Sequence, residues 1–220
     1  MKEVVKTIEK QARETHKDAT TCFYDMMDFF IETFLVGNLV RHKFDYGQVF
    51  RERMVNPYFP CLMRWLTLTA DGIGQHGSYD FFGSLYEQLF QVKSKASGMG
   101  QFFTPKSLTD VMADLFADGG RVIADHACGS GRTLLSAWGK SDKTKPMYFE
   151  GADLDPASVK MCTLNMMANG MIGRVACSNS LSGEMFYRYE VNEVRCPIPL
   201  PFYSLRYLTP TDLSSKKKGE

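Results

Sequence analysis

Residues 121–135 read RVIADHACGSGRTLL, and this stretch decides the fold. Its short apolar run, VIA, predicts a buried strand that ends at Asp125. The small residues that follow, with Gly129 and Gly131 among them, predict a loop, and a helix is expected to begin at Arg132. Glycines let the backbone approach a ligand closely, and a helix start offers unpaired amides. The stretch therefore predicts either a site for a nucleotide-like ligand or a plain strand-to-helix turn.

The composition is that of a globular protein with balanced charge. Of 220 residues, 44% are hydrophobic, and 26 Lys and Arg face 25 Asp and Glu. No global field favours nucleic acid or a membrane, so a nucleic-acid contact would need a local patch. The six cysteines are scattered, and the chain starts without a signal-peptide pattern, which predicts reduced thiols in a cytoplasmic protein without a metal site. The apolar runs are too short for a membrane-spanning helix, so no membrane contact is expected.

The first 91 residues are predicted to be helical almost throughout. Apolar residues recur at helical spacing in the first segment and again over residues 23–35, where the stripe ends near Gly37. A further helix is expected over residues 48–55, and another over 58–70, followed by a loop over 72–77 that contains a histidine. The aromatic and methionine stripes indicate a hydrophobic core rather than a ligand site.

The next part of the chain is predicted to hold a domain boundary. Asp80 is expected to cap an amphipathic helix that ends at residue 91. Residues 92–100 are small and basic and are expected to form a loop or linker. We therefore divide the chain into a helical N-terminal domain, residues 1–91, and an α/β domain, residues 92–220.

Two further strands are expected after the glycine loop. One runs over residues 147–152 and is followed by Asp153 and Asp155. An acid at the end of this strand is placed to accept hydrogen bonds from ribose hydroxyls, and we assign that role to Asp153. Asp155 is expected to cap the next helix. The other strand runs over residues 174–177 and precedes Asn179.

Three motifs occur in order between residues 80 and 131. They are Asp80-x-x-Gly83-x-x-Tyr86-Glu87, Gly100-Gln101-Phe102-Phe103-Thr104-Pro105 and Asp125-x-Ala127-Cys128-Gly129-Ser130-Gly131. Together they resemble the modification (M) subunit of type I restriction systems and related N6-adenine DNA methyltransferases. The resemblance implies an α/β fold in which a helical N-terminal region precedes a partial, apparently truncated Rossmann-like sheet that binds S-adenosylmethionine. It also implies methyl transfer to adenine in DNA.

The resemblance assigns two groups of residues to the cofactor. The segment that wraps the methionine end corresponds to Gln101, Phe102, Phe103, Thr104, Pro105 and Lys106. The glycine loop under the methionine moiety corresponds to Asp125, Cys128, Gly129, Ser130 and Gly131. Thr104 is expected to cap a helix with Pro105 in its first turn, and the free amides at that helix start suit the ligand carboxylate.

Two positions depart from the family pattern. His126 stands where the family usually has proline, and we interpret it as an incidental loop residue rather than a general base. Asn179 stands where the family typically has an aspartate that binds the adenine amine. Its side-chain oxygen can still accept that hydrogen bond, without the charge.

The catalytic motif of the family has no evident match. Adenine-N6 methylation needs a side-chain acceptor and a proline carbonyl for the exocyclic amine, with an aromatic ring over a flipped base. The family supplies these as Asn-Pro-Pro-Phe or Asn-Pro-Pro-Tyr. Asn56-Pro57 lies upstream of the glycine loop and is better explained as a helix start. The remaining candidates are Cys196, Pro197 and Phe202, with Cys196-Pro197 closing a fourth strand, although a thiol is a poor acceptor.

Three hypotheses follow for the function. The chain is a shortened methyltransferase that a partner, such as a specificity subunit, completes on DNA. Alternatively, it is a non-catalytic relative that binds the cofactor or DNA. The third hypothesis is an interaction module in which the helical N-terminal region carries the function.

Overall fold

The computed structural model describes residues 1–43, 45–97, 104–116, 121–193 and 203–216. These ranges form a mixed α/β structure with a helical N-terminal region, as the sequence predicts. The elements are α1 (Lys2–Thr15), α2 (Ala19–Phe34), α3 (Val36–Arg41), α4 (Tyr46–Arg53), α5 (Phe59–His76), α6 (Phe81–Ser97), α7 (Lys106–Phe116), β1 (Val122–Asp125), α8 (Arg132–Lys140), β2 (Tyr148–Asp153), α9 (Pro156–Ala168), β3 (Gly173–Asn179), β4 (Glu184–Val191), β5 (Leu205–Leu208) and α10 (Pro210–Lys216). None of the helices in these ranges is both long and apolar enough to cross a membrane.

The strands form one mixed sheet in the order β1-β2-β3-β4-β5. The first three strands are parallel, with Asp125 opposite Gly151 and Asp153 opposite Cys177. β4 and β5 continue the sheet in antiparallel orientation. Because the parallel strands share a direction, the carboxyl ends of β1, β2 and β3 lie at one edge of the sheet. Helices α8 and α9 provide the connections between them.

Helix α9 lies at the centre of the molecule. All of its residues from Ala157 to Ala168 are buried except Lys160. It packs against α2, α5 and α6 on the helical side and against β2, β3 and β4 of the sheet. The ammonium group of Lys160 reaches Asp28 of α2 at 2.5 Å. A helix that is buried on all sides belongs to a core, so α9 joins the helical layer to the sheet.

Aromatic rings hold the helical layer together. The rings of Phe30 and Trp65 stack at 5.0 Å with 12° between their planes. Phe82 contacts Trp65 edge-on at 5.4 Å and packs in the same manner against Phe23 at 6.4 Å. These rings come from α2, α5 and α6 and are fully buried. The prediction that the aromatic stripes form core is confirmed.

The predicted break at Gly72 is wrong. Helix α5 continues to His76 and ends at Gly77, which has φ 78° and donates its amide to the Ile73 carbonyl at 2.8 Å. A Cβ atom on Gly72 would come within 2.5 Å of Cγ of Tyr79. The absence of a side chain at Gly72 lets the ring of Tyr79 pack against helix α5. His76 is the last residue of this helix and is not part of a loop.

The prediction of a linker from residue 92 is also wrong over its first part. Helix α6 extends to Ser97, because residues 92–97 contain neither proline nor glycine.

Helix α2 ends at Phe34, earlier than the predicted end near Gly37. The extended residue Leu35 separates α2 from α3 and forms an isolated bridge with Leu205.

The strand that follows β3 differs from the expected fourth strand. β4 runs antiparallel to β3 and ends at Val191, before Cys196 and Pro197. Those two residues lie outside the described ranges.

Candidate functional site

The loop after β1 is held by a backbone hydrogen bond to the next strand and by a turn of its own. The amide of Cys128 donates to the carbonyl of Ala152 in β2 at 2.9 Å. A tight turn follows, in which the amide of Gly131 donates to the Cys128 carbonyl at 2.7 Å. At the start of the loop, Asp125 accepts the amide of Ala127 at 3.1 Å. The predicted strand, loop and helix starting at Arg132 are confirmed. The prediction that the strand is buried is wrong, because β1 is an outer strand of the sheet and Val122 and Ala124 are exposed.

Gly131 is the glycine that this loop needs most. Its φ is 86°, a left-handed conformation that other residues adopt only with strain. A Cβ atom at this position would come within 2.8 Å of the sulfur of Cys162 in α9. The loop can therefore pass this close to α9 only with a glycine here.

The start of helix α8 has no side-chain cap. Gly131 is its N-cap residue and carries no side chain that could accept an amide hydrogen bond. The amide of Leu135 makes the bond to the Gly131 carbonyl at 2.9 Å. The amides of the first turn before it have no intrahelical acceptor, and such groups suit an anionic group of a ligand.

Asp153 ties the end of β2 to the glycine loop. One carboxylate oxygen accepts the amide of Gly129, and the other accepts the amide of Asp155, both at 2.9 Å. Each carboxylate oxygen can accept more than one hydrogen bond, so capacity remains for hydroxyl donors. Asp153 thus lies beside the loop at the carboxyl edge of the sheet, where the sequence expects an acid.

The predicted role of Asp155 as a helix cap is confirmed. Its carboxylate accepts the amides of Ala157 at 3.2 Å and Ser158 at 3.0 Å. It also accepts the hydroxyl of Ser158 at 3.0 Å. Asp155 is therefore engaged in starting α9.

Asn179 closes the turn between β3 and β4. Its side-chain oxygen accepts the amides of Leu181 at 3.0 Å and Ser182 at 3.3 Å. The neighbouring Ser180 donates its hydroxyl to the His126 carbonyl at 2.6 Å. The loops that follow β1 and β3 are therefore in direct contact. A cavity of about 470 Å³ lies between α7, β1 and α8, beside Asp125, His126 and Thr133.

The second predicted cofactor segment is described only in part. Helix α7 begins at Lys106, and the Pro105 carbonyl accepts the amides of Leu108 at 2.9 Å and Thr109 at 3.1 Å. Pro105 is therefore the cap residue, so the expected cap at Thr104 with Pro105 inside the helix is wrong by one position. The Thr104 carbonyl accepts a hydrogen bond from Arg132 at 3.3 Å, which brings this segment to the glycine loop. The side chain of Lys106 lies outside the described part. So do several predicted site residues, namely Gln101, Phe102, Phe103, Cys196, Pro197 and Phe202.

A charged cluster that the sequence does not reveal lies behind the loop. Asp80 accepts the hydroxyl of Ser130 at 2.9 Å and Nε of Arg132 at 2.8 Å. Arg132 also donates to Glu87 at 3.0 Å. Burial by itself lowers the pKa of Arg132, but the carboxylates of Asp80 and Glu87 outweigh burial and raise that pKa. The predicted cap role of Asp80 is confirmed as well, since it accepts the Gly83 amide at 2.8 Å.

Two buried thiols meet where the loop packs against α9, namely Cys128 of the loop and Cys162 of the helix. The hydrogen bond with Cys128 raises the pKa of Cys162 well above its ordinary value, and complete burial raises it further. The Cys162 thiol therefore remains protonated and acts as a packing group. In the part of the chain that the structure describes, no group of three or more His, Cys, Asp or Glu side chains is arranged to hold a metal ion.

The part of the chain that contains the glycine loop is similar to known proteins. The family model described as N-6 DNA Methylase covers residues 77–213, more than half of the chain. The chain is 30% identical over 118 residues to the type I restriction enzyme MjaIX methylase subunit of Methanocaldococcus jannaschii, a match to 51% of this chain and 21% of that protein. It is 29% identical over 101 residues to the type I restriction enzyme EcoEI methylase subunit of Escherichia coli, with 41% and 21% covered. The alignments thus span about a fifth of each relative. No solved structure gives a significant match.

Proposed function

This chain belongs to the N-6 DNA methylase family, and on that premise we propose that it binds S-adenosylmethionine at the loop between β1 and α8 and serves methyl transfer to N6 of adenine in DNA. The resemblance to methylase subunits that the motifs indicate agrees with the named relatives. The observation that carries the proposal is the hydrogen bond from the Gly129 amide to Asp153, because it places an acid beside an uncapped helix start.

The residues present fit this cofactor. Gly131 lets the glycine loop pack tightly against α9, and a loop of small residues allows its backbone to approach the methionine moiety closely. Asp153 retains acceptor capacity for the ribose hydroxyls. The side-chain oxygen of Asn179 already accepts the amides of Leu181 and Ser182, so a bond to the adenine amine would have to replace one of them. The helix start after Thr104 provides amides for the carboxylate of the methionine moiety.

We further infer that the sheet is half of a Rossmann-like doubly wound sheet. Three parallel strands joined by α8 and α9 support this inference. Each half of a doubly wound sheet consists of three parallel strands connected by two helices. In such sheets the ligand binds outside the carboxyl ends of the strands, where Asp125, Asp153 and Asn179 lie.

Bound S-adenosylmethionine supplies an electrophilic methyl group. We propose Cys196 and Pro197 as the acceptors for the adenine amine. Phe202 is the proposed aromatic ring over the flipped base. Each named relative is a subunit of a restriction enzyme. We therefore propose that this chain also acts on DNA together with a partner, such as a specificity subunit.

Two measurements test the proposal. Calorimetric titration of the folded protein with S-adenosylmethionine should give a saturable heat, and no heat at high ligand concentration would refute the cofactor site. Transfer of tritium from labelled cofactor to DNA then tests catalysis, with DNA lacking adenine as the control. Binding without transfer would favour the non-catalytic relative over the methyltransferase.

A further inference from the structure

Asp80 is a carboxylate whose hydrogen bonds are saturated by three different parts of the fold. Its side chain is 10% exposed. One oxygen accepts the amide of Gly83 in α6 at 2.8 Å and the side-chain amide of Asn165 in α9 at 2.7 Å. The other oxygen accepts Ser130 and Arg132, from the glycine loop and the start of α8. A carboxylate offers about four acceptor sites, so this one is fully used within the protein.

Arg132 extends the same cluster to the second cofactor segment. Its guanidinium, 14% exposed, donates to Asp80 at 2.8 Å and to Glu87 at 3.0 Å. It also donates to the Thr104 carbonyl at 3.3 Å. A guanidinium is planar with its donors in fixed directions, so these contacts define the position of Thr104 relative to α6 and α8.

Asn165 provides a further connection from α9. Its side-chain amide donates to the Ser130 carbonyl at 3.0 Å as well as to Asp80. Its oxygen accepts the amide of Phe82 at 3.3 Å. Ser130, which is fully buried, is therefore held through both its hydroxyl and its backbone carbonyl.

We propose that Asp80 and Arg132 are positioning residues for the cofactor site. Through these two residues, α6 holds Ser130 and Thr104 in position. The helical N-terminal region therefore helps to shape the cofactor site. This inference rests on the proposed function, because the loop it concerns is the proposed S-adenosylmethionine site. A loop held in its binding conformation loses less conformational entropy when the ligand binds, and this raises affinity.

The first test replaces Asp80 by Asn. Asp80→Asn keeps the size of the side chain but removes the charge and offers an amide group to donors. We expect affinity for S-adenosylmethionine, measured by calorimetry where the protein remains folded, to fall at least about tenfold, as for one charged hydrogen bond. Amide hydrogen exchange in residues 127–135 should become faster without any ligand.

A second variant probes the same contact through the backbone. A Cβ atom on Gly83 would come within 2.2 Å of Oδ2 of Asp80 and 2.6 Å of the Ser130 hydroxyl, so Gly83→Ala should separate them. Gly74→Ala is the matched control, since Gly74 is also helical and a Cβ there meets nothing within 4 Å. We expect faster exchange in residues 127–135 and weaker binding in the first variant only.

A stability control separates positioning from general damage. Leu62 is fully buried in α5, so Leu62→Ala should lower the midpoint of thermal unfolding without changing cofactor affinity of the folded protein. An equal loss of affinity in Leu62→Ala would overturn the positioning role. So would normal exchange in residues 127–135 of both Asp80→Asn and Gly83→Ala. If the unaltered protein binds no S-adenosylmethionine, the proposed function fails, and the exchange measurement still decides whether the cluster holds the loop.

Discussion

The carboxylate of Asp153 accepts the backbone amide of Gly129 at 2.9 Å, across 24 positions of sequence. This bond connects the end of β2 to the loop after β1. It gives one residue two functions in the proposed site, because Asp153 shapes the glycine loop and also offers acceptor capacity to ribose hydroxyls.

Replacing Asp153 tests both functions. We expect Asp153→Ala to weaken S-adenosylmethionine binding by about tenfold to a hundredfold, since hydrogen bonds to charged groups contribute roughly 1.5–3 kcal/mol. Asp153→Asn should lose less, because it keeps one acceptor oxygen. Asp142→Ala is the control, as Asp142 lies in an exposed turn and bonds Thr144. Calorimetric affinity that is unchanged in Asp153→Ala would mean that the ribose assignment names the wrong acid.

Gly131 should tolerate no side chain. Gly131→Ala carries a left-handed backbone penalty of roughly 1–2 kcal/mol and in addition overlaps the Cys162 sulfur. Gly170→Ala has a similar φ of 72° with open space around it, so it should lose only the backbone part. Urea unfolding measures the difference between the two. Adding Cys162→Ala to Gly131→Ala should recover part of the excess, and equal losses in both single variants would contradict a tight contact.

One buried and one half-buried tyrosine should make the free energy of unfolding depend on alkaline pH. Burial raises the pKa of Tyr189, and burial together with Cys177 raises the pKa of Tyr187. In the unfolded chain these phenols ionise near pH 10. Their contribution to stability is therefore present below about pH 10 and is lost as the pH rises further, because the unfolded state releases its protons first.

Absorbance of phenolate near 295 nm would follow this ionisation. The folded protein should show a group of tyrosines that ionises only when far-ultraviolet circular dichroism reports unfolding. Tyr189→Phe should reduce the amplitude of that late phase. Ionisation of all tyrosines near pH 10 in folded protein would contradict the prediction.

The division at residue 91 stays a prediction, and α9 suggests how to test it. Since α9 is buried between the sheet and α2, α5 and α6, residues 92–220 expressed alone would expose one side of it. We expect that fragment to bind a hydrophobic dye and to unfold without a cooperative transition, unlike the whole chain. A cooperative transition with native near-ultraviolet circular dichroism would show instead that the α/β part folds independently.

Local patterns in the sequence determined the elements of the proposed site. Each of these elements depends only on residues that are close in sequence. They are the apolar run before Asp125, the small residues up to Gly131 and the cap at Asp155. Strand ends, tight turns and helix starts depend on such short-range bonds, so they could be predicted before any contact was known. The three ordered motifs likewise identified the family, which the family match supports.

Tertiary contacts decided what those local patterns do not contain. Gly72 resembles a helix end, yet the ring of Tyr79 requires a glycine inside α5. Asp80 resembles a simple cap, but its carboxylate meets Ser130 across 50 positions and binds Arg132 beside it. No pattern among neighbouring residues in the sequence indicates such pairs. Their interaction stabilises the protein only when the folded chain buries both partners together. The sequence alone therefore predicted the glycine loop, and the tertiary structure decided which residues hold it.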